Sequence, residues 1–300
     1  MKLIKSSFEI WNQPAGLEGV YKQIERVGRV CYKSEDKITE DSAKPFVDRM
    51  IKSGHGTMLE HGTVYLFIPL HCDKTDYHIA EWYHSNPYSR VKIRNEHYCF
   101  DSNGYYITTN LRVLVENNLI EHLKFICEPT EYHEKRICVK FICDRGVSHE
   151  FVRHRVFSFA QESTRYCNYS KDKFGNELTF IIPCWMDGVE HYNECYGIPY
   201  NNECAIVRPS EEYREASIYY EYFYALRYAE GHYFRLLELG WKPQEARAVL
   251  PNSLKTELVM TGFVSDWKHF FELRCDSAAH PQARELAIPL REEFIKRNYI

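Results

Sequence analysis

Apolar residues recur at helical spacing over residues 15–53, where Ile24, Val27 and Val30, then Phe46, Met50 and Ile51, fall on one side of a 3.6-residue turn. This predicts helix up to Ser53–Gly54, a pair suited to ending one. The run Val64–Tyr65–Leu66–Phe67–Ile68 then reads as a strand closed by Pro69. Residues 71–135 are polar, rich in tyrosine, histidine and asparagine, and carry no repeated pattern; inside them Tyr105 to Thr109 reads as strand and Leu111 to Phe125 as helix. Arg136 to Cys143 alternates like a strand with one buried face. After Gly146 a helix is expected to carry Arg153–His154–Arg155. Phe180–Ile181–Ile182 before Pro183 is a further short strand, and 184–208 a loop. A long helix is expected from the N-cap Ser210, followed by Glu211 and Glu212, to Gly240. Two more helices are expected at about 243–273 and 281–296. No low-complexity linker divides the chain, so the pattern predicts one α+β domain over 1–300, with a large insertion at about 71–135.

Composition narrows the function. At 44% hydrophobic residues, 300 positions bury a sizeable core, and 23 tyrosines with 17 phenylalanines exclude a disordered chain. Lys and Arg total 38 against 42 Asp and Glu, a net charge of −4, so no global field draws this chain to nucleic acid or anionic lipid. Anion binding must therefore be local. Met1 to Ile10 lacks the sustained apolar run of a signal peptide and no later segment would span a membrane, so a cytoplasmic protein is expected. The 11 cysteines are scattered without a C-x-x-C pair, which points to free thiols rather than disulfides or structural zinc.

Local anion chemistry concentrates in RHRVFSFAQESTRY, where Arg153, Arg155 and Arg165 sit with His154 and Ser163 within thirteen positions. Guanidiniums stay charged and repel one another, so such a cluster wants an anion, and phosphate suits the planar fork. Val152, Val156, Phe157 and Phe159 interleave with the basic residues, so part of the segment is expected to be buried with its arginines partnered. A second segment, Gly54 to His61, holds His55, Glu60 and His61, but the two histidines are six apart where a helical metal pair wants four, so no metal is expected. Two more segments are Pro243–Pro251, with Arg247, and Asp266–Arg274, with Trp267, Phe270, Phe271 and Arg274 on one stripe. Taken alone, Arg274 is as well read as an ion pair with Glu272 or Asp276.

Together the four segments resemble one family, the flavin-dependent thymidylate synthases. The family's signature is an RHR triplet, seven residues and a serine, matched at Arg153, His154, Arg155 and Ser163 and extended by Arg165–Tyr166. GHGTMLEHGTVYLFI, PQEARAVLP and WKHFFELR resemble its flanking blocks in the same order. The resemblance implies a fold of mixed helices around a small, mainly antiparallel sheet. It implies that dTMP is made from dUMP, with 5,10-methylenetetrahydrofolate as carbon donor, NADPH as reductant through FAD, and no cysteine nucleophile. It implies flavin contacts at His55, Thr57, Arg153, His154, Arg155, Gln161, Ser265 and His269. It implies dUMP contacts at Glu150, Arg153, Gln161, Glu162, Ser163, Thr164, Arg165, Arg247 and Arg274.

Arg274 matches the residue held to favour ionised uracil N3, a role a fixed guanidinium can fill by stabilising the anionic ring. The family's active sites form where subunits meet, which implies a homotetramer. Departures are Ala160–Gln161 where some members have Asn–Glu, Phe263 where asparagine is common, and Ala278 where histidine is frequent. Two other readings stand beside this one. A different uridine-nucleotide flavoenzyme would keep the scaffold. A single-stranded nucleic-acid binder would need a basic stripe and steep salt dependence.

Overall fold

The computed structural model describes residues 1–70, 74–95, 103–171, 174–186 and 214–300. Two units are distinguished: a larger one of Phe8–Phe141, Glu150–Glu162 and Glu257–Ile300, and a smaller one of Met1–Ser7, Ile142–His149 and Ser163–Thr256.

In the larger unit, helix α1 (Gly16–Tyr32) buries Val20, Ile24, Val27 and Val30. It stops at Lys33, whose left-handed backbone (φ 47°) lets its N–H return to the Val30 carbonyl. The helix expected over 15–53 is therefore two, the second being α2 (Ala43–Lys52), ended by Ser53 and by Gly54 at φ 70°. The short α3 (Gly56–Leu59) follows. Strands β3 (Thr63–Pro69), β4 (Arg90–Arg94) and β5 (Gly104–Asn110) form an antiparallel sheet ordered β3-β5-β4. Its core shares Leu66, Ile68 and Ile107 with Val20 and Ile24 of α1 and with Ala80 and Tyr83 of α4 (Lys74–Ser85). The 71–135 segment is thus largely built into a hydrophobic core. The helix expected over Leu111–Phe125 breaks after α5 (Leu111–Glu116), where Asn118 turns left-handed at φ 57°, and resumes as a 3₁₀ turn over Ile120–Phe125.

A second sheet carries Ser158–Gln161 of the arginine-rich segment. Its order is β2-β6-β9-β7, with β2 at Ser7–Trp11, β6 at Arg136–Asp144, β7 at Ser158–Gln161 and β9 at Lys255–Phe263. Strand β9 corrects the helix expected over 243–273. It is buried from Thr256 to Phe263, so the alternation that announces a half-exposed strand is missing from its sequence. Buried Glu257 breaks the apolar run and is neutralised by Lys33 at 2.7 Å and Lys140 at 2.6 Å. Strand β6 likewise buries Ile137, Cys138 and Val139 in succession rather than along one face.

Two helices finish the larger unit: α9 (Val264–Arg274) and α10 (Pro281–Lys296). Trp267, Phe270 and Phe271 of α9 are buried with Phe294 of α10, and Trp267 Nε1 donates to the Ile137 carbonyl at 3.1 Å. Each such side chain contributes roughly 1.5–3 kcal/mol by leaving water, so α9 is firmly seated.

In the smaller unit, β1 (Lys2–Ile4) pairs in parallel with β8 (Thr179–Ile181), a short exception within the mainly antiparallel pairing expected. Helix α7 (Arg214–Glu238) buries Phe223, Leu226 and Tyr233, and Gly240 at φ 97° ends it as expected. Its expected cap at Ser210, with Glu211 and Glu212, and the loop from 187 to 208 lie outside the described residues. Helix α6 (Arg145–Phe151) starts in this unit, where the Asp144 carboxylate accepts the Val147 N–H at 2.7 Å, and α8 (Pro243–Ala246) follows α7.

Candidate functional site

The RHR triplet does not lie on a helix, as its sequence suggested, but on the turn between α6 and β7. Its basic side chains part company there. His154 is buried, while Arg153 and Arg155 are exposed, as is Val156. The expectation of buried, partnered arginines is thereby corrected: the apolar anchors are His154 and Phe157, and the arginines stand outward. Phe157 packs against Trp267 with centroids 4.7 Å apart, and it lies so close to β9 that a Cβ on Gly262 would come within 2.5 Å of its ring. Glycine at that position is what admits the turn. Among the described residues neither Arg153 nor Arg155 has a carboxylate within ion-pair distance.

Arg274 ends helix α9 and fastens this turn from the side. Its Nε donates to His154 Nε2 at 2.9 Å, Nη1 to the Glu150 carboxylate at 2.6 Å, and Nη2 to the Glu150 carbonyl at 2.6 Å. The partner foreseen for Arg274, Glu272 or Asp276, is therefore Glu150 instead; Glu272 faces His269 at 3.3 Å. An arginine donor on Nε2 makes that atom the acceptor, so His154 carries its proton on Nδ1. Burial, with Arg274 and His269 adding like charge, lowers the His154 pKa to about 4. The imidazole is neutral at pH 7. Three of the five Arg274 N–H groups are spent on His154 and Glu150, which leaves two for a ligand.

A cavity of about 460 Å³ opens beside this turn. Its wall includes Thr57, Arg136, Arg155, Phe159, Phe263 and Asp266. Arg136 is held by the Glu60 carbonyl at 2.9 Å and the Ser158 hydroxyl at 3.2 Å, and burial lowers its pKa. Sequence reading passed over Arg136 because it opens an ordinary-looking strand.

The other residues singled out earlier take varied positions. His55 and Thr57 are exposed on either side of Gly56, and Gln161 ends β7 just before Glu162, whose N–H donates to the Glu257 carbonyl at 2.9 Å. Ser265 gives its hydroxyl to Glu134 at 2.6 Å, and exposed His269 lies 6.4 Å, ring to ring, from His154. His61, weighed with His55 and Glu60 as a metal group, is buried against the Thr261 hydroxyl at 2.8 Å, while Glu60 pairs with Arg112. Among the described residues no three or more His, Cys, Asp or Glu are placed to hold a metal.

In the smaller unit a second cavity, about 240 Å³, is lined by Arg145, Thr164, Arg247, Ala248, Leu250 and Leu254. Arg247 donates to the Thr164 hydroxyl at 3.1 Å. Arg145, which sequence reading missed, is set by its N–H to the carbonyls of Asn252 and Leu254. Ser163 begins the adjoining turn: its carbonyl accepts from Tyr166 and Cys167, and the exposed Arg165 leans over the Tyr166 ring at 5.0 Å. Two guanidiniums and a hydroxyl suit a phosphate.

Residues 104–297 match the family described as thymidylate synthase complementing protein. Flavin-dependent thymidylate synthases from Pyrococcus horikoshii, Thermococcus kodakarensis and Corynebacterium efficiens are respectively 29%, 30% and 32% identical over 155, 156 and 151 residues. Those alignments cover 52%, 52% and 50% of this chain and 52%, 52% and 53% of the relatives, so the chain spans about half the length of the curated relatives it matches. A crystal structure of a UMP/dUMP methylase, PolB from Streptomyces cacaoi bound with 5-Br dUMP, overlaps 99% of this chain and 93% of its own at 17% identity and a TM-score of 0.43.

Proposed function

The chain belongs to the thymidylate synthase complementing protein family, and on that footing we propose that it is a flavin-dependent thymidylate synthase, converting dUMP to dTMP. In this proposal 5,10-methylenetetrahydrofolate gives the carbon, NADPH is the reductant through FAD, and residues 1–300 work as one catalytic domain within a cytoplasmic homotetramer. The observation that carries it is the turn at Arg153–Arg155: two exposed arginines, without an ion pair among the described residues, flank a buried neutral imidazole that Arg274 holds in one tautomer.

That donor set fits an anionic dinucleotide. Arg153 and Arg155 offer charge to a pyrophosphate, His154 offers a neutral N–H, and the cavity bearing Thr57 and Arg155 gives room beside them. His55, Gln161, Ser265 and His269 complete the proposed flavin contacts. When bound, the flavin supplies the hydride that reduces the transferred carbon. Within the protein, Thr164 and Arg247, joined by Arg145, neutralise a nucleotide phosphate, with Ser163, Arg165 and Glu162 as further dUMP contacts. Glu150, Arg153, Gln161 and Arg274 are also assigned to dUMP. The two N–H groups that Arg274 keeps free stabilise negative charge on the uracil, raising electron density at C5.

In this reading neither Cys31 nor Cys275 acts as a nucleophile. Burial raises the Cys31 thiol to about 11 and lifts Cys275 above its ordinary value, which leaves little thiolate at pH 7. Among the described residues no helix is long and apolar enough to cross a membrane, and the seven cysteines there are free, in keeping with a reducing compartment.

The test is the visible spectrum of the purified protein, followed by anaerobic NADPH with and without dUMP. A flavin band that bleaches, and faster with dUMP, is the expected result. A colourless protein that also fails to bind added FAD removes the proposal.

A further inference from the structure

The 71–135 segment has no part in the mechanism above, yet it reaches the cavity beside Arg155. The turn before β4 and the first residue of that strand bring Pro87, Tyr88 and Arg90 into the same wall as Arg155 and Phe159. Arg90 is fixed there. Its Nη1 donates to the carbonyls of Pro87 at 3.1 Å and Ser89 at 2.9 Å, and its guanidinium lies 4.4 Å over the ring of buried Phe263. Its Nε is ion-paired with a Glu134 carboxylate oxygen at 3.8 Å, too long for a hydrogen bond. The other Glu134 oxygen is taken by Ser265. Arg90 is therefore a positioned, ion-paired guanidinium whose Nη2 makes no hydrogen bond among the described residues.

Tyr88 is 59% exposed, a large ring left open in a cavity wall, and its backbone is pinned by an N–H to the Asn86 side chain at 2.9 Å. A held guanidinium at Arg90, the outward Arg155 beside it and an open aromatic face are the chemistry that recognises a nucleotide, with charge for phosphate and a π-surface for the base. A cavity of about 460 Å³ suits a group of that size. Phe263, which stands where asparagine is common in the family, has become the platform under Arg90.

We infer that Tyr88 and Arg90 extend the dinucleotide site: Arg90 shares the pyrophosphate with Arg155, and Tyr88 stacks on the adenine. The inference rests on the flavin reading. It gives the 71–135 segment a binding task, selecting FAD over shorter flavins.

The experiment is a fluorescence titration of the full-length, flavin-stripped protein with FAD, FMN and riboflavin. Wild type is compared with Tyr88→Ala, Arg90→Ala, the double variant and Arg155→Ala. The double variant should weaken FAD roughly tenfold or more and leave riboflavin within about twofold. Tyr88→Phe, which keeps the ring, should bind FAD like wild type. FAD affinity unchanged in the double variant while Arg155→Ala loses it overturns the inference and spares the flavin reading. Equal losses for FAD and riboflavin overturn it too, because the residues would then serve the shared ring system or the fold. A wild-type protein that binds no flavin sinks both. Should Arg90→Ala fail to fold by circular dichroism, Arg90→Gln, which keeps the stem over Phe263, takes its place.

Discussion

At the scale of single residues, the triplet's meaning lies in how differently its members are used. His154 is pinned and neutral, and the arginines on either side face out. Arg274 is the fastener, so Arg274→Ala acts twice. It removes the guanidinium assigned to the uracil, and turnover should fall roughly 10²–10³-fold or more. It also deletes the cation that, after burial, most depresses His154, so the His154 pKa should rise from about 4 toward its ordinary value. Activity assays and an NMR titration of the imidazole check the two effects separately. An unmoved His154 titration would place Arg274 apart from the histidine in solution. The sequence disclosed these residues through their types and order. It did not disclose which arginine faces solvent, because that depends on a seven-residue helix ending at Phe151, where local periodicity carries no boundary signal.

At the scale of elements, the turn depends on a strand that the hydrophobic pattern concealed. Strand β9 has both faces covered, so its residues read as an apolar stretch joined to helix α9, and Gly262 looks incidental. In the fold it is the gap that Phe157 fills. Gly262→Ala should force that ring to move and cost about 1–3 kcal/mol, measured as a lowered urea midpoint with an unchanged slope. FAD affinity should fall with it, since Phe157 follows Arg155 by two positions; retained stability and affinity would show that the ring has room to shift. The elements with strong periodicity, α1, α7 and α10, were legible. So was β3, and so was the short β8. Within 71–135 the strand read at Tyr105–Thr109 stands as β5 and the helix read over Leu111–Phe125 is broken at Asn118, whereas α4 and β4 went unread, the five residues of β4 being mostly charged.

At the scale of the whole molecule, two buried histidines set an acid limit on stability. His154 titrates at about 4 and His61 at about 3, both driven down mainly by burial, whereas an unfolded histidine titrates near 6.5. Between those values the unfolded chain binds more protons, so folding stability is fully present above about 6.5 and is lost as pH falls toward 4. At about 1.4 kcal/mol per unit of displacement, each histidine contributes a few kcal/mol to that loss. Urea unfolding at pH 7 and pH 5 should show it, and His61→Asn should flatten the dependence; a pH-independent midpoint would contradict these assignments.

The burial of Trp267 beneath the RHR turn has an optical consequence. This indole is fully enclosed, 4.7 Å from Phe157, whereas Trp185 and Trp241 are open to water. Iodide would quench the two surface emitters and leave the shielded light, part of which comes from Trp267. A red shift in the Trp267 share of that residual emission, isolated by comparison with Trp267→Phe, would report a loosening of the turn.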